Sequence, residues 1–282
     1  MKNAKFKKVY VEITNVCNLD CSFCHGTKRN PGFMTAGQFS LAAGKLRPYS
    51  DYIYLHLMGE PLLHPELEKI LEICRELDYH TAITTNGTLL KEKYPLLEGI
   101  YKLSVSLHSF EANENAGAIN EYLDGVISAA RYLSQRGTIC VLRLWNENGK
   151  DKLNGGIEKR LSSEPDFCAE QTAKGIKLAQ GLYLEYGEKF DWPDLGADVS
   201  APRFCMGLRD QIGVLCDGTV VPCCLDAEGT LSLGNIFTDA PEEIFGCKTA
   251  KLIYDGFSRG KAAAELCGKC GYAALKFGKQ KI

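Results

Sequence analysis

The stretch EITNVCNLDCSFCHGTK, residues 12–28, follows a strand-like segment and contains three cysteines in a C-x3-C-x2-C run: Cys17, Cys21 and Cys24. A structural zinc site or a ferredoxin-type cluster takes four protein ligands. Three thiols this close together are one ligand short of such a site. The run therefore predicts a metal centre with one coordination position left for a ligand that the protein does not supply.

Segments with strand patterns alternate with segments of helical periodicity over the first 190 residues. Runs of β-branched and aromatic residues predict six strands, at residues 9–15, 52–59, 81–87, 103–110, 138–146 and 177–187. Helical spacing of apolar residues predicts helices between them, at residues 35–49, 64–78, 90–98 and 119–136. Strands separated by helices form parallel sheets with right-handed crossovers. We therefore predict an α/β fold in which residues 1–190 form a partial (βα)6 barrel of the TIM type.

The cysteine run lies directly after the first predicted strand, at the end where barrels of this kind place their chemistry. Other polar segments end the later strands at the same edge: MGEP at residues 58–61, TTNG at 84–87, SLHS at 106–109 and RLWN at 143–146. We expect these segments to surround the three cysteines at one rim of the barrel.

The overall composition excludes several classes of protein. The chain has 282 residues, of which 45% are hydrophobic and 24% charged, and its formal net charge is −2. This balance gives no general attraction to nucleic acid or to an anionic membrane. No apolar stretch approaches the ~20 residues of a membrane span. The N-terminal segment lacks the apolar core and cleavage site of a secretory signal, so a cytoplasmic location is expected.

The composition changes after about residue 190, where the chain becomes rich in glycine and cysteine. We predict a second, small α+β domain over residues 191–282. The chain contains 13 cysteines, and in a reducing compartment clustered thiols more often bind metal than form disulfides. Cys74 and Cys140 lie on apolar faces and are expected in the core. The C-terminal region has few long apolar runs and is expected to depend on a metal centre for its order.

The run CNLDCSFC followed by MGEP resembles the radical S-adenosylmethionine (SAM) superfamily. The motif of that family is C-x3-C-x-aromatic-C, and Phe23 occupies its aromatic position. The resemblance implies that the three cysteines hold a [4Fe-4S] cluster whose fourth iron has no protein ligand. SAM chelates that iron through its amino and carboxylate groups, which explains the count of three thiols.

The resemblance also implies residues that bind SAM. Gly59 and Glu60 match the family's Gly-Gly-Glu-Pro stretch, which receives the SAM ammonium group, whereas Met58 replaces the first glycine. Ser106 matches a family serine that contacts the ribose or the carboxylate of SAM.

Three further rim residues each have two interpretations. Arg143 either pairs with the SAM carboxylate, which suits a guanidinium fork, or is an ordinary exposed arginine. Asn86 either contacts the cofactor or substrate or is a turn residue. His108 either faces the substrate or caps the end of its strand.

A second set of four cysteines lies in the C-terminal region: Cys205, Cys223, Cys267 and Cys270. The first two fit the spacing C-x12-G-x4-C with Gly218 inside, and the last two form C-x2-C. This pattern resembles the auxiliary-cluster domain called SPASM in its shortened Twitch form, which implies a second [4Fe-4S] cluster. Ligand type alone also allows zinc. Cys224, next to Cys223, is an alternative ligand, although the glycine spacing favours Cys223.

These resemblances imply a mechanism. The reduced first cluster cleaves SAM to methionine and a 5′-deoxyadenosyl radical, and that radical removes a hydrogen atom from the substrate. An auxiliary cluster with four thiolate ligands then accepts an electron, so that the net reaction is a two-electron oxidation. The chain is thus expected to be an oxygen-sensitive oxidoreductase that is supplied with electrons by a flavodoxin or a ferredoxin.

The substrate is left open between a ribosomally made peptide, which we place first, and a small sugar or cyclitol alcohol. The spacing of the C-terminal cysteines looks most like that of inosamine dehydrogenases, whereas the motif wording is equally like that of peptide-maturing enzymes. The predicted core starts by residue 9, which leaves no room for a peptide-recognition domain before it. An RNA-modifying enzyme lacks support from the charge, and a non-catalytic metal-binding scaffold would not need the SAM-binding features.

Overall fold

The computed structural model describes residues 5–113, 118–173, 175–199 and 201–278. Its strands are β1 (Lys8–Val11), β2 (Tyr52–Tyr54), β3 (His80–Thr85), β4 (Lys102–Ser106), β5 (Ile139–Glu147), β6 (Glu170–Thr172), β7 (Gly175–Ala179), β8 (Leu182–Glu188), β9 (Gln211–Val214), β10 (Thr219–Val221) and β11 (Gly234–Asn235). Its helices are α1 (Ala36–Leu46), α2 (Leu67–Glu76), α3 (Leu90–Lys93), α4 (His108–Glu111), α5 (Ile119–Ser134), α6 (Asn154–Ser162), α7 (Pro241–Gly246), α8 (Lys248–Ser258), α9 (Glu265–Gly268) and α10 (Gly271–Phe277). Within these ranges, none of the helices is both long and apolar enough to span a bilayer.

All the strands belong to one sheet, in the order β11-β10-β9-β1-β2-β3-β4-β5-β8-β7-β6. Strands β1, β2, β3, β4, β5 and β8 form a run of six in which each adjacent pair is parallel. Helices cover the sheet with their apolar faces, as α2 does with four buried side chains: Leu67, Ile70, Leu71 and Cys74. The predicted α/β class and the partial barrel of six parallel strands are confirmed.

The sheet curves so that side chains from distant strands meet in its interior. Arg143 on β5 places Nη1 3.5 Å from Oγ1 of Thr84 on β3, although β4 separates the two strands. The ring of Tyr10 on β1 packs against His56 after β2, with ring centroids 5.4 Å apart. Alternate side chains of a strand point to opposite faces of the sheet. The two contacts above place these four residues on the inner face. The barrel interior below the rim is therefore polar and aromatic.

The predicted sixth strand differs from the structure. Residues 177–187 belong to an antiparallel hairpin of β7 and β8, and only β8 pairs in parallel with β5. Gly181, at the turn between them, has φ +71°, a conformation that glycine adopts without a steric cost. The turn has only two residues, Gln180 and Gly181, and strand-forming residues flank it on both sides, so the two strands looked like one.

The sheet continues past the predicted boundary at residue 190. Strand β9 pairs in parallel with β1, and β10 pairs antiparallel with β9. Two of the C-terminal strands are thus anchored on the barrel edge. The division into residues 1–190 and 191–282 stays a prediction, and the two parts share one sheet.

Candidate active site

The loop after β1 places three thiols around one cavity of about 260 Å³: Cys17, Cys21 and Cys24. Each thiol accepts a hydrogen bond. The backbone N–H of Leu19 lies 3.5 Å from the first sulfur, the side-chain amide of Asn113 lies 3.0 Å from the second, and the backbone N–H of Gly26 lies 3.4 Å from the third. Donors aimed at sulfur favour the negatively charged thiolate that binds metal.

The chemistry of these thiols fits a three-cysteine cluster. Burial raises the pKa of all three thiols, and that of Cys21 to about 11, so they carry protons until a cation replaces them. In the described parts of the chain, no group of three or more His, Cys, Asp or Glu side chains is arranged to hold one metal ion. Each thiolate of a [4Fe-4S] cluster binds a different iron, so its ligands surround a cavity rather than a point. Three thiols around one cavity are thus suited to such a cluster.

Glu60 joins two of the rim loops. Its carboxylate accepts hydrogen bonds from the Leu62 N–H at 3.0 Å, from Thr85 Oγ1 at 2.8 Å and from the Asn86 N–H at 2.7 Å. Burial raises the pKa of Glu60, and these three donors oppose that rise. Much of its hydrogen-bonding capacity is thus used to hold the MGEP loop against the end of β3, while the residue also lines the cavity.

Gly59 allows this loop to lie against the start of the cysteine run. Its φ is +76°, and a Cβ at this position would lie 2.4 Å from the carbonyl oxygen of Thr14 and 2.9 Å from the Cα of Asn15. The following N–H, of Glu60, donates to the carbonyl oxygen of Val16 at 2.8 Å. The glycine is therefore required by the approach of one backbone to another.

Replacing Gly59 with alanine is expected to raise the dissociation constant of SAM about tenfold or more, because the added Cβ separates the two rim loops. Equilibrium binding to the reconstituted protein measures this effect. Gly99→Ala is the matched control, since its φ is +84° and its Cβ would meet nothing within 4 Å. Equal SAM affinities of the two variants would show that the close approach has no role in binding.

Asn86 and Ser106 lie at the same rim, as predicted. The Asn86 side-chain amide donates to Asn18 Oδ1 at 2.9 Å and lies 3.9 Å from Cys17 Sγ. Ser106 is the last residue of β4 and lines the cavity. The side chain of Asn86 thus holds the cysteine loop in place, in addition to its position in the turn after β3.

Arg143 is buried in the cavity wall rather than exposed. Its guanidinium lies over the ring of Trp145, 4.4 Å from the centroid, and burial lowers its pKa. Within the described residues its Nε has no hydrogen-bond partner, and no carboxylate oxygen lies within 4 Å of it. Its Nη1 reaches Thr84 Oγ1 at 3.5 Å. A buried guanidinium with an unpaired donor is costly. This side chain therefore has the capacity to bind an oxygen atom of a ligand.

The two histidines of the cavity are both neutral. Burial lowers the pKa of His108 to about 4 and that of His56 to about 3. His108 Nδ1 lies 3.1 Å from the carbonyl oxygen of Arg143 and 3.4 Å from the backbone nitrogen of Trp145. The shorter contact, to an oxygen that can only accept, takes Nδ1 as the donor and leaves Nε2 as an acceptor. The ring also packs on Phe23, with centroids 4.7 Å apart. His108 thus bonds to β5 and also lines the cavity.

Sequence reasoning missed a buried ion pair under the cysteine loop. Glu12 is 0% exposed, and both of its oxygens lie 2.8 Å from Nη2 of Arg29. Glu12 also accepts the N–H groups of Met58 and Cys216, each at 3.1 Å. Burial raises the pKa of Glu12, and the guanidinium opposes that rise. Removing one partner of such a pair typically costs about 3–5 kcal/mol. The signal in the sequence was the position of Glu12, a charged residue within the predicted strand of residues 9–15.

The second set of thiols also meets at one cavity, which is lined by Cys205, Cys223, Cys267 and Cys270. Burial raises the pKa of all four thiols, to about 12 for Cys267 and about 11 for Cys270. Cys224 does not line this cavity, and its side chain is hydrogen-bonded to Tyr10. The geometry therefore favours Cys223 as the fourth ligand.

A segment that the sequence presents as a linker lines one side of the first cavity. Residues 189–194, called the strap here, leave β8 and place three side chains in the cavity wall: Lys189, Phe190 and Trp192. The indole N–H of Trp192 donates to the carbonyl oxygen of Phe23 at 3.1 Å, and its ring stacks on His25 at 5.8 Å. The strap is thus bound to the cysteine loop.

Comparison with protein families gives two matches. The profile of the radical SAM superfamily matches residues 11–146, and the profile of an iron-sulfur cluster-binding domain, SPASM, matches residues 205–271. The first match contains the three-cysteine run, and the second contains the four C-terminal cysteines. The family resemblance seen in the sequence is confirmed.

Individual relatives extend these matches. GTP 3′,8-cyclase from Aquifex aeolicus is 30% identical over 209 residues, which cover 69% of this chain and 62% of the relative. BtrN in complex with AdoMet and 2-DOIA superposes with a TM-score of 0.64 at 20% identity, covering 99% of this chain and 98% of BtrN. Streptococcus suis SuiB bound to its precursor peptide SuiA gives a TM-score of 0.60 at 15% identity, covering 96% and 73%. The structural likenesses show the shared fold.

Proposed function

Because this chain belongs to the radical SAM superfamily, with an iron–sulfur SPASM domain at its C-terminal end, we propose that it oxidises a small, oxygen-rich molecule such as a sugar or cyclitol alcohol. Its cofactors are those of the family: SAM, the SAM-binding [4Fe-4S] cluster and auxiliary iron–sulfur. The substrate class is supported by the size and the polar lining of the cavity described above.

In this proposal Cys17, Cys21 and Cys24 hold the SAM-binding cluster. Gly59 and Glu60 shape the rim loop that receives the SAM amino group, with Phe23 and Asn86 holding the cysteine loop. Ser106 and Arg143 bind the SAM carboxylate. When bound and reduced, the cluster supplies an electron that cleaves SAM to methionine and a 5′-deoxyadenosyl radical. An acidic electron carrier such as a flavodoxin or ferredoxin supplies that electron.

The observation that carries the proposal is the lining of the cavity. Its wall holds the three thiols, the strap lines one side of it, and its floor is polar, with Thr84 Oγ1 lying 3.0 Å from His56 Nε2 and 3.5 Å from Arg143 Nη1. A peptide chain normally lies in a groove or along a sheet edge. A cavity of about 260 Å³ with a few convergent polar groups suits a small molecule.

The protein groups around the cavity are suited to a hydroxyl group. His108 Nε2 offers an acceptor for a hydroxyl proton, and neutral His56 offers no charge. Oxidation of an alcohol to a ketone removes one hydrogen atom, one proton and one electron. The hydrogen atom goes to the SAM-derived fragment and the proton to the cavity wall or solvent. An iron–sulfur cluster held by the four C-terminal cysteines would supply the acceptor for the electron.

GTP receives less support as the substrate than the names of the sequence relatives suggest. The alignment spans only 62% of the Aquifex protein. Among the described residues that line the cavity, the cationic side chains are Arg143 and Lys189, which is few for a triphosphate. A ribosomal peptide, which the sequence placed first, receives less support from a cavity of about 260 Å³ than a small molecule does.

The experiment is a substrate panel with anaerobically reconstituted protein, SAM and a chemical reductant. Separate arms contain cyclitols and amino sugars, short peptides, and GTP. We expect a member of the first arm to increase 5′-deoxyadenosine release about tenfold over the substrate-free rate and to yield a ketone. Stimulation by peptides alone would restore the peptide prediction. Stimulation by GTP alone would assign the reaction of the sequence relatives.

A further inference from the structure

The strap contacts both thiol sites. At the first site, Trp192 donates its indole N–H to Phe23 and stacks on His25. These two residues flank Cys24 in the sequence. Two side chains of the strap, Lys189 and Phe190, also line the cavity. The position of the strap therefore sets the shape of one wall of the first cysteine site.

At the second site, the strap is attached to the turn that carries the C-x2-C pair. The Tyr272 N–H donates to the carbonyl oxygen of Asp191 at 3.1 Å, and the Asp194 N–H donates to that of Lys269 at 3.4 Å. The rings of Phe190 and Tyr272 meet edge to face with centroids 5.0 Å apart. Pro193 lines the auxiliary cavity itself. The strap and this turn thus form one packed unit.

Gly271 is the point of closest approach in this unit. A Cβ there would lie 2.7 Å from the carbonyl oxygen and 2.9 Å from the Cβ of Asp191. The φ of Gly271 is not in the left-handed region, so the backbone conformation alone does not require glycine. The contact with the strap requires it.

We propose that the junction between Gly271 and Asp191 is a positioning contact through which the auxiliary thiol site fixes one wall of the SAM and substrate cavity. Cys270 precedes Gly271, so coordination of its sulfur immobilises the backbone on which the strap rests. A wall fixed in advance reduces the entropic cost of binding beside it. The inference rests on the proposed function in taking this cavity as the substrate site, whereas the junction itself is independent of the substrate's identity.

The test compares Gly271→Ala with Gly268→Ala in anaerobically reconstituted, full-length protein. Both glycines belong to the same turn, but a Cβ at Gly268 would meet nothing within 4 Å. Three quantities are measured: iron content, hydrogen exchange at the Asp194 and Tyr272 amides that bridge the junction, and the dissociation constant of SAM. For Gly271→Ala we expect wild-type iron, exchange about tenfold faster at both amides and a dissociation constant raised about tenfold. Gly268→Ala should match the wild type.

A second variant keeps the proposal testable if Gly271→Ala loses iron. Tyr272→Leu removes the ring contact with Phe190 and leaves every cysteine and both backbone bonds in place. It should also accelerate exchange at Asp194 and weaken SAM binding. Wild-type exchange and SAM affinity in an iron-replete variant would overturn the positioning role. Because neither readout needs a substrate, a failed substrate panel leaves this result intact and refutes only the proposed substrate class.

Discussion

Replacing Cys17, Cys21 and Cys24 together with alanine is expected to abolish the release of 5′-deoxyadenosine from SAM. The iron content should fall from about eight to about four per chain, because one of two [4Fe-4S] clusters is lost. The single variant Cys24→Ala should also release no 5′-deoxyadenosine. The barrel should remain folded, because these thiols lie in a loop at its rim and outside the apolar core.

Cys168→Ala is the matched control for this experiment. Its thiol is exposed and lies near Lys177, in neither of the two cysteine cavities. It should therefore keep both the iron content and the SAM cleavage of the wild type. SAM cleavage at the wild-type rate by Cys24→Ala would mean that the first site is not where SAM is activated.

Replacing Cys267 and Cys270 together with alanine is expected to separate the two halves of the reaction. SAM cleavage should continue at saturating SAM, because the first cluster is held by the barrel rim. Substrate oxidation should stop, because the electron acceptor is lost. A structural metal site contributes roughly 10 kcal/mol or more to a small domain, so limited proteolysis should cut the C-terminal region. Strands β9 and β10 should resist cleavage, because they are paired with the barrel sheet.

Cys247→Ala provides the comparison for this double variant. Cys247 caps α8 by accepting the Ala250 N–H at 3.3 Å and lies outside the auxiliary cavity. Its loss should cost about 1 kcal/mol of helix stability and leave substrate oxidation unchanged. A Cys267/Cys270 double variant that oxidises substrate at the normal rate would show that the auxiliary site is not the electron acceptor.

The fold was predictable from the sequence where local pattern and topology agree. The strands β1 to β5 have β-branched runs, the helices between them have helical spacing, and the cysteine run follows β1 directly. The hairpin of β7 and β8 was missed because its turn is short. Gly181 is the residue in it that is typical of a turn. The pairing of β9 with β1 was also missed, since about 200 residues separate the partners and no local pattern marks such contacts.

The site was predictable only where its residues share a motif. Both cysteine sets could be read from spacing, and the rim segments could be read from strand order. The partners of Glu12 could not, because Arg29 and Cys216 approach it from two other parts of the chain. The strap has the sequence KFDWPD. Its charged residues and its proline are typical of a linker. Its aromatic residues, Phe190 and Trp192, were the only sign that it packs against something.

The most direct test of the account is the fate of a substrate deuterium. A cyclitol or amino sugar that stimulates SAM cleavage is prepared with deuterium on its carbinol carbons and is incubated with the reduced, reconstituted protein. The account predicts one deuterium in 5′-deoxyadenosine for each ketone formed. Unlabelled 5′-deoxyadenosine, with every deuterium retained in the recovered alcohol, would contradict it.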